Sequence, residues 1–235
     1  MSLKHLALST LLLASFATQA RTLRTADQAR AAGISSMYSL KKIPGVGFSL
    51  GKEQVFANNA NMMTDSHYSK QGQTGMAMIR ALEKYTKSNG CIPNLMIAGH
   101  GWGAFDGKVE SISTGSIARD SGLGLYLNPV ANSEGASIKG ALQTRIDSGK
   151  IRFCEDSCKI RIHACSISHE FSQSMANATG CDVVSATYKV SPVDTNNGIF
   201  DHVWFTSAHG KFYKYQAHYP NAREELGQSF VFTGK

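Results

Sequence analysis

From residue 74 onward, apolar positions switch between helical and strand spacing, with clean breaks between the segments. Met78, Leu82 and Tyr85 recur at helical intervals with Ile79 beside them, and Gly90 stops the run. That spacing predicts an amphipathic helix. Leu95–Ala98 is a short continuous apolar run and predicts a buried strand. After Ser137 as a cap, Ile138, Leu142 and Ile146 fall on one helical face, and Gly149 ends the segment. Ile160–Ala164 predicts the next strand. A third helix from about Ser168 carries Phe171, Met175 and Ala178 on one face and ends at Gly180. Asp182–Thr187, with Val183 and Val184, predicts a further strand. Such alternation argues for an α/β fold, a mostly parallel sheet covered by helices on both faces.

The rest of the chain is less regular. Residues 21 to about 70 hold the apolar stretches Met37–Leu40, Val46–Leu50 and Val55–Phe56, broken by Gly, Pro and Asn. One or two strands are expected there, with a polar loop over Asn58–Gln73. Near the C-terminus, His202–Ser207 and Phe212–Gln216 flank a four-residue connection and read as a β-hairpin. There is no internal repeat and no linker-like stretch, so residues 21–235 are read as one domain. The first twenty residues read differently. A basic start at Lys4 and His5 precedes the apolar run Leu6–Phe16, and small residues stand at Thr18 and Ala20. This predicts a secretory signal peptide cleaved after Ala20. The apolar run is too short to span a bilayer. A secreted or periplasmic protein without a membrane span is expected.

Charge narrows the partners. The formal net charge is +7, or +6 once Lys4 is removed with the leader. The Lys and Arg residues are scattered, with no basic block interleaved by aromatics, so a nucleic-acid partner is not expected. The five cysteines are Cys91, Cys154, Cys158, Cys165 and Cys181. Disulfides are expected in an oxidising compartment, and the odd count leaves one thiol over. Cys165, at a strand exit, is the one that chemistry would choose. Cys91, Cys154, Cys158 and Cys181 all precede strands. They are expected to pair among themselves on the rim opposite Cys165, in a connectivity that spacing does not decide.

Two strand exits carry residues capable of acyl-transfer chemistry. Leu95-Met96-Ile97-Ala98 runs into Gly99-His100-Gly101, and Ile160-Arg161-Ile162-His163-Ala164 runs into Cys165-Ser166. Sites in parallel sheets form beyond the carboxyl ends of the strands. If the two strands are neighbours, His100 can act on the Cys165 thiol or on a departing amine. Cys165 also stands at the start of the third helix, where the dipole favours a thiolate. Gly101, lacking a Cβ, lets its N–H approach a substrate carbonyl, and with the N–H of Cys165 it could form an oxyanion hole.

An apolar strand into His-Gly, then an apolar strand into Ala-Cys with 64 residues between the two side chains, resembles the clan CD cysteine peptidases, the superfamily of caspases, gingipains and clostripain. The resemblance covers roughly residues 74–190. It implies a caspase-like α/β sandwich and a dyad of His100 and Cys165. It also implies an oxyanion hole from the Gly101 and Cys165 amides, and a pocket lined by Ser185, Ala186, Thr187 and Tyr188. The substrate implied is a protein or peptide, cleaved through a thioester without a metal or other cofactor. The caspase string Gln-Ala-Cys-x-Gly is replaced by His163-Ala164-Cys165-Ser166-Ile167, so a preference for Asp is not implied.

Plainer uses exist for each residue. A histidine in a turn commonly bonds to backbone, and a cysteine commonly packs as a small apolar group. His163, Cys165 and His169 cluster in sequence, but no second ligand pair completes a metal site. Trp102 is either a groove wall or a core indole. Two functional alternatives share the same residues: a thiol acyl transferase on the same scaffold, and a disulfide-stabilised binding protein with no catalysis.

Overall fold

A computed structural model describes residues 43–51, 56–57, 60, 66–68, 74–102, 111–113, 122–187, 190–191, 202–207, 211–219, 223–227 and 229–233. All of them belong to one compact unit, Leu40–Lys235. The expected signal peptide lies outside the described residues, as does the position of Tyr188. Among the described residues, no helix is long and apolar enough to cross a membrane.

The helices form where the apolar spacing places them. Helix α1, Gly75–Asn89, starts at Thr74, whose side chain accepts from the Ala77 N–H, and ends at Gly90 with φ 87°. Its buried residues include Met78, Ile79, Leu82 and Tyr85. Ile138–Leu142 is wound as a π-helix and continues into the short helix α2, Gln143–Asp147. Helix α3, His169–Thr179, is capped by Ser168 and stopped by Gly180, which takes the left-handed conformation that an L side chain resists.

The fold is α/β with a mixed central sheet of seven strands. Five of these strands are parallel: β1 (Val46–Ser49), β2 (Ser66–Tyr68), β3 (Asn94–Ala98), β8 (Lys159–His163) and β9 (Asp182–Ala186). Their spatial order is β9-β8-β3-β1-β2. Two antiparallel strands, β12 (Phe212–Tyr215) and β13 (Glu224–Gly227), extend the β9 edge. A small sheet of β4 (His100–Trp102), β5 (Ser111–Ser113), β6 (Leu125–Tyr126) and β7 (Ala136–Ser137) grows directly out of the β3 exit. A third sheet joins β10 (Val190–Ser191), β11 (His202–Ser207) and β14 (Ser229–Thr233).

Two expectations need correction. Ser66–Tyr68, expected inside a loop, is a parallel edge strand held by β1. A three-residue edge needs only backbone pairing and leaves no periodic trace. His202–Ser207 and Phe212–Tyr215 do not form a hairpin with one another. β11 pairs with β10 and β14, while β12 pairs with β9. The open edge at β9 competes with the local turn for the same strand, and the long-range pairing wins. Helix α1, the π/α2 segment and α3 lie on one face of the sheet, where they bury Val46, Phe48, Leu95, Ile97, Ile160, Ile162 and Val183 in one cluster. Right-handed crossovers that advance in the same direction along a sheet leave their helices on the same side. The β1–β2 crossover advances the other way and puts Ala60, which has helical backbone, on the other face, where its carbonyl lies so close to Gly47 that a Cβ there would sit 1.9 Å from it.

The disulfides are Cys91–Cys154 and Cys158–Cys181, with Cα separations of 5.0 and 4.9 Å. Both staple the entries of β3, β8 and β9. The second continues the β8–β9 register by one residue, since Lys159 pairs with Asp182. They close loops of 63 and 23 residues. In the chain-entropy account each stabilises by about 2–4 kcal/mol, the longer loop by more. Alkylation of denatured, unreduced protein is therefore expected to label one thiol, at Cys165, and reduction to lower the thermal midpoint strongly. A second labelled cysteine in the native preparation would refute this pairing.

Candidate active site

The exits of β3, β8 and β9 lie side by side at one rim of the sheet. Ala98 is in register with His163, and the Gly99 N–H donates to the His163 carbonyl at 3.1 Å. His100 and Cys165 are thus each two residues beyond the last register pair of neighbouring strands. Beyond this point the chains cross closely. A Cβ on Gly101 would lie 1.8 Å from the Cys165 carbonyl oxygen and 2.8 Å from its amide nitrogen. Only glycine lets the His-Gly segment pass over the Cys165 peptide in this way.

The surroundings hold both side chains in partial exposure. His100 is half-buried, and the Phe56 ring stands edge-on to its imidazole, centroids 5.1 Å apart. Phe56 follows β1, and no sequence signal linked it to His100. Cys165 is half-buried and lies outside both disulfides. The next residue, Ser166, has φ 52°, a left-handed conformation that is uncommon for a non-glycine residue. The Ile167 N–H then donates to the Ala186 carbonyl, tying this turn to the β9 exit. This geometry corrects one expectation. α3 begins only at His169, so Cys165 is not in its first turn. Within that first turn, the Phe171 N–H is taken by the Ser168 hydroxyl. Helix-dipole support of a thiolate is strongest within the first turn, which this thiol precedes.

The β9 exit lies on the same rim, but its residues face different ways. Ser185 is fully buried under α3, with its hydroxyl 2.6 Å from that of Ser172. Ala186 is also fully buried. Thr187 is half-exposed and its N–H donates to the Lys211 carbonyl. Beneath α3, His169 Nδ1 meets the Tyr215 hydroxyl at 2.6 Å. Burial pushes the Tyr215 phenol up to about 12, and burial followed by the Arg223 charge lowers the His169 imidazole. Ser185 thus belongs to a buried polar brace, and Thr187 is the first residue of the segment open to solvent.

Below Cys165, alternation along β8 puts Arg161 and His163 on the face away from the helices. Both are buried, and the Arg161 guanidinium lies 4.5 Å from the centre of the Phe212 ring. Burial lowers the Arg161 pKa well below its ordinary value. Burial, with the Arg161 charge added, lowers the His163 imidazole to about 3. The unfolded chain, with an ordinary histidine near 6.5, then binds a proton that the native state refuses between about pH 6.5 and 3. This contribution to stability is complete above about pH 6.5 and is lost as the pH falls through that window, by at most about 1.4 kcal/mol per unit. Urea midpoints taken from pH 7 down to 5 are expected to fall more steeply for the natural protein than for His163→Gln. Parallel slopes would contradict the assignment. Among the described residues, no group of three or more His, Cys, Asp or Glu is placed to hold a metal ion. The side chain of Trp102 lies outside the described residues.

Comparison of the chain with protein-family profiles, with curated proteins and with solved structures finds no match in any of the three.

Proposed function

We propose that this chain is an exported cysteine endopeptidase that uses His100 and Cys165 in the manner of the caspase-like enzymes. The observation that carries the reading is the register of β3 and β8. It brings a histidine and a cysteine to the same rim, with the Gly101 backbone pressed against Cys165. The Cys165 thiolate attacks a peptide carbonyl, and its oxygen develops negative charge near the Gly101 and Cys165 amides. His100 protonates the leaving amine, and water hydrolyses the resulting thioester. Two disulfides in the fold fit an oxidising compartment, which supports export. Thr187 is the described residue of the β9 exit best able to meet the substrate side chain before the cut, with Tyr188 after it.

A thiol-directed electrophile and a mixed peptide library test this together. Rapid labelling of Cys165 that is lost in His100→Ala, with cleaved peptides identified by mass spectrometry, is the expected result. Peptides joined to an added amine instead of hydrolysed would reassign the chain as an acyl transferase. Sluggish labelling that ignores His100 would leave a binding protein.

A further inference from the structure

The rim opposite Cys165 holds a cleft of about 560 Å³ between the last turn of α1, the end of α2 and the strand-entry segment 149–152. Glu83, Lys87, Arg145, Lys150 and Arg152 line it, with Thr86 and two glycines. The volume falls within the range of small-ligand sites. Arg145 is held by Glu83 at 3.0 Å. Lys87, Lys150 and Arg152 are exposed, and among the described residues no carboxylate pairs with them. The ends of α1 and α2 contribute about half a negative charge each at this side. The three unpaired cations outweigh them.

The walls of the cleft are fixed. The Arg152 N–H donates to Thr86 Oγ1 at 3.1 Å, its carbonyl accepts from the Ile92 N–H at 2.9 Å, and the Cys91–Cys154 bond closes the same corner. Concave shape, fixed walls and a surplus of cations suit a compact anion with several charged oxygens, since guanidinium and ammonium groups both bind phosphate. The cleft is built from residues 83–90 and 145–152, so a search for a contiguous basic block passes over it.

We propose that this cleft binds a compact polyanion carrying clustered phosphate groups, at a site separate from Cys165 and independent of any catalysis there. The phosphates could be borne by a soluble molecule or by a membrane surface, which the two arms of the test separate. Calorimetric titration of the full chain with inorganic tripolyphosphate at 50 and 150 mM salt is the test. One-to-one binding is expected, weakened at least tenfold in K87Q/K150Q/R152Q. It should change little in K139Q/K211Q/K214Q, which removes the same charge from lysines paired with Glu170, Glu225 and Asp182 elsewhere. Circular dichroism checks that both variants fold. A parallel arm uses phosphatidylcholine vesicles containing phosphatidic acid. No binding of tripolyphosphate, equal loss in the two variants, or binding of the vesicles alone would overturn the proposal.

Discussion

Cys165→Ala is expected to reduce peptide hydrolysis to background while the thermal transition and both disulfides remain. The alanine methyl group offers no electron pair, so the variant lacks the proposed nucleophile. His100→Ala should cost about 10²- to 10⁴-fold, the usual contribution of a positioned acid–base group. Alkylation of the thiol should mimic Cys165→Ala, and a zinc chelator should leave the rate unchanged. Turnover numbers on a peptide taken from the library screen, measured beside circular dichroism spectra, check all of this. Undiminished turnover by folded Cys165→Ala would end the cysteine-peptidase reading.

Gly101→Ala tests the geometry and not the chemistry. One methyl group is added, and it meets backbone atoms of Cys165 at distances no real Cβ tolerates. The neighbour is a peptide unit, so it cannot rotate aside as a long side chain would. The β3 and β8 exits must separate. Overpacking of this kind costs about 1–3 kcal/mol of stability. A displacement of about 1 Å between reacting groups can cost about 10²-fold in rate. The expected variant is therefore folded, with a lower thermal midpoint and activity down by about that factor or more. The control is Gly90→Ala. The Gly90 Cβ position is open, so that variant pays only for its left-handed backbone and keeps its activity. Equal activity of Gly101→Ala and the natural protein would show that the close crossing is not needed by the site.

Legibility of the fold followed the length of each element. The helices containing Met78 and Phe171 each bury a long apolar stripe, and the hydroxyls of Thr74 and Ser168 cap them as capping chemistry requires, whereas the segment from Ile138 buries only Ile138 and Leu142 and Ser137 makes no side-chain cap bond. The strands Asn94–Ala98, Lys159–His163 and Asp182–Ala186 are buried runs with clear ends. Strands β4 to β7 span two or three residues each, too few to display a period of two. The placement of β12 depended on a free edge 26 residues away in sequence, counted from Ala186 to Phe212. At the rim, His100, Gly101 and Cys165 were legible because each follows an apolar run. Phe56 and the Ser185–Ser172 brace were not, because their meaning comes from contacts across the fold. The alternation that hides Ser185 under α3 also turns Arg161 and His163 to the opposite face, which a sequence of mixed polar and apolar positions on one strand already hinted at.

The strands between the two rims also act as a spacer for sulfur chemistry. A reactive thiolate and a disulfide in one molecule threaten each other, since attack of the first on the second reshuffles the bonds. From Cys158 to Cys165 the chain runs through β8 in extended form, which sets the two sulfurs about 20 Å apart. Attack requires contact, so the folded protein keeps the Cys165 thiol and two structural cross-links without exchange between them. That insulation is a property of the native sheet alone. In the unfolded chain, six residues separate Cys158 from Cys165, and the thiol becomes a competitor for its neighbour's partner.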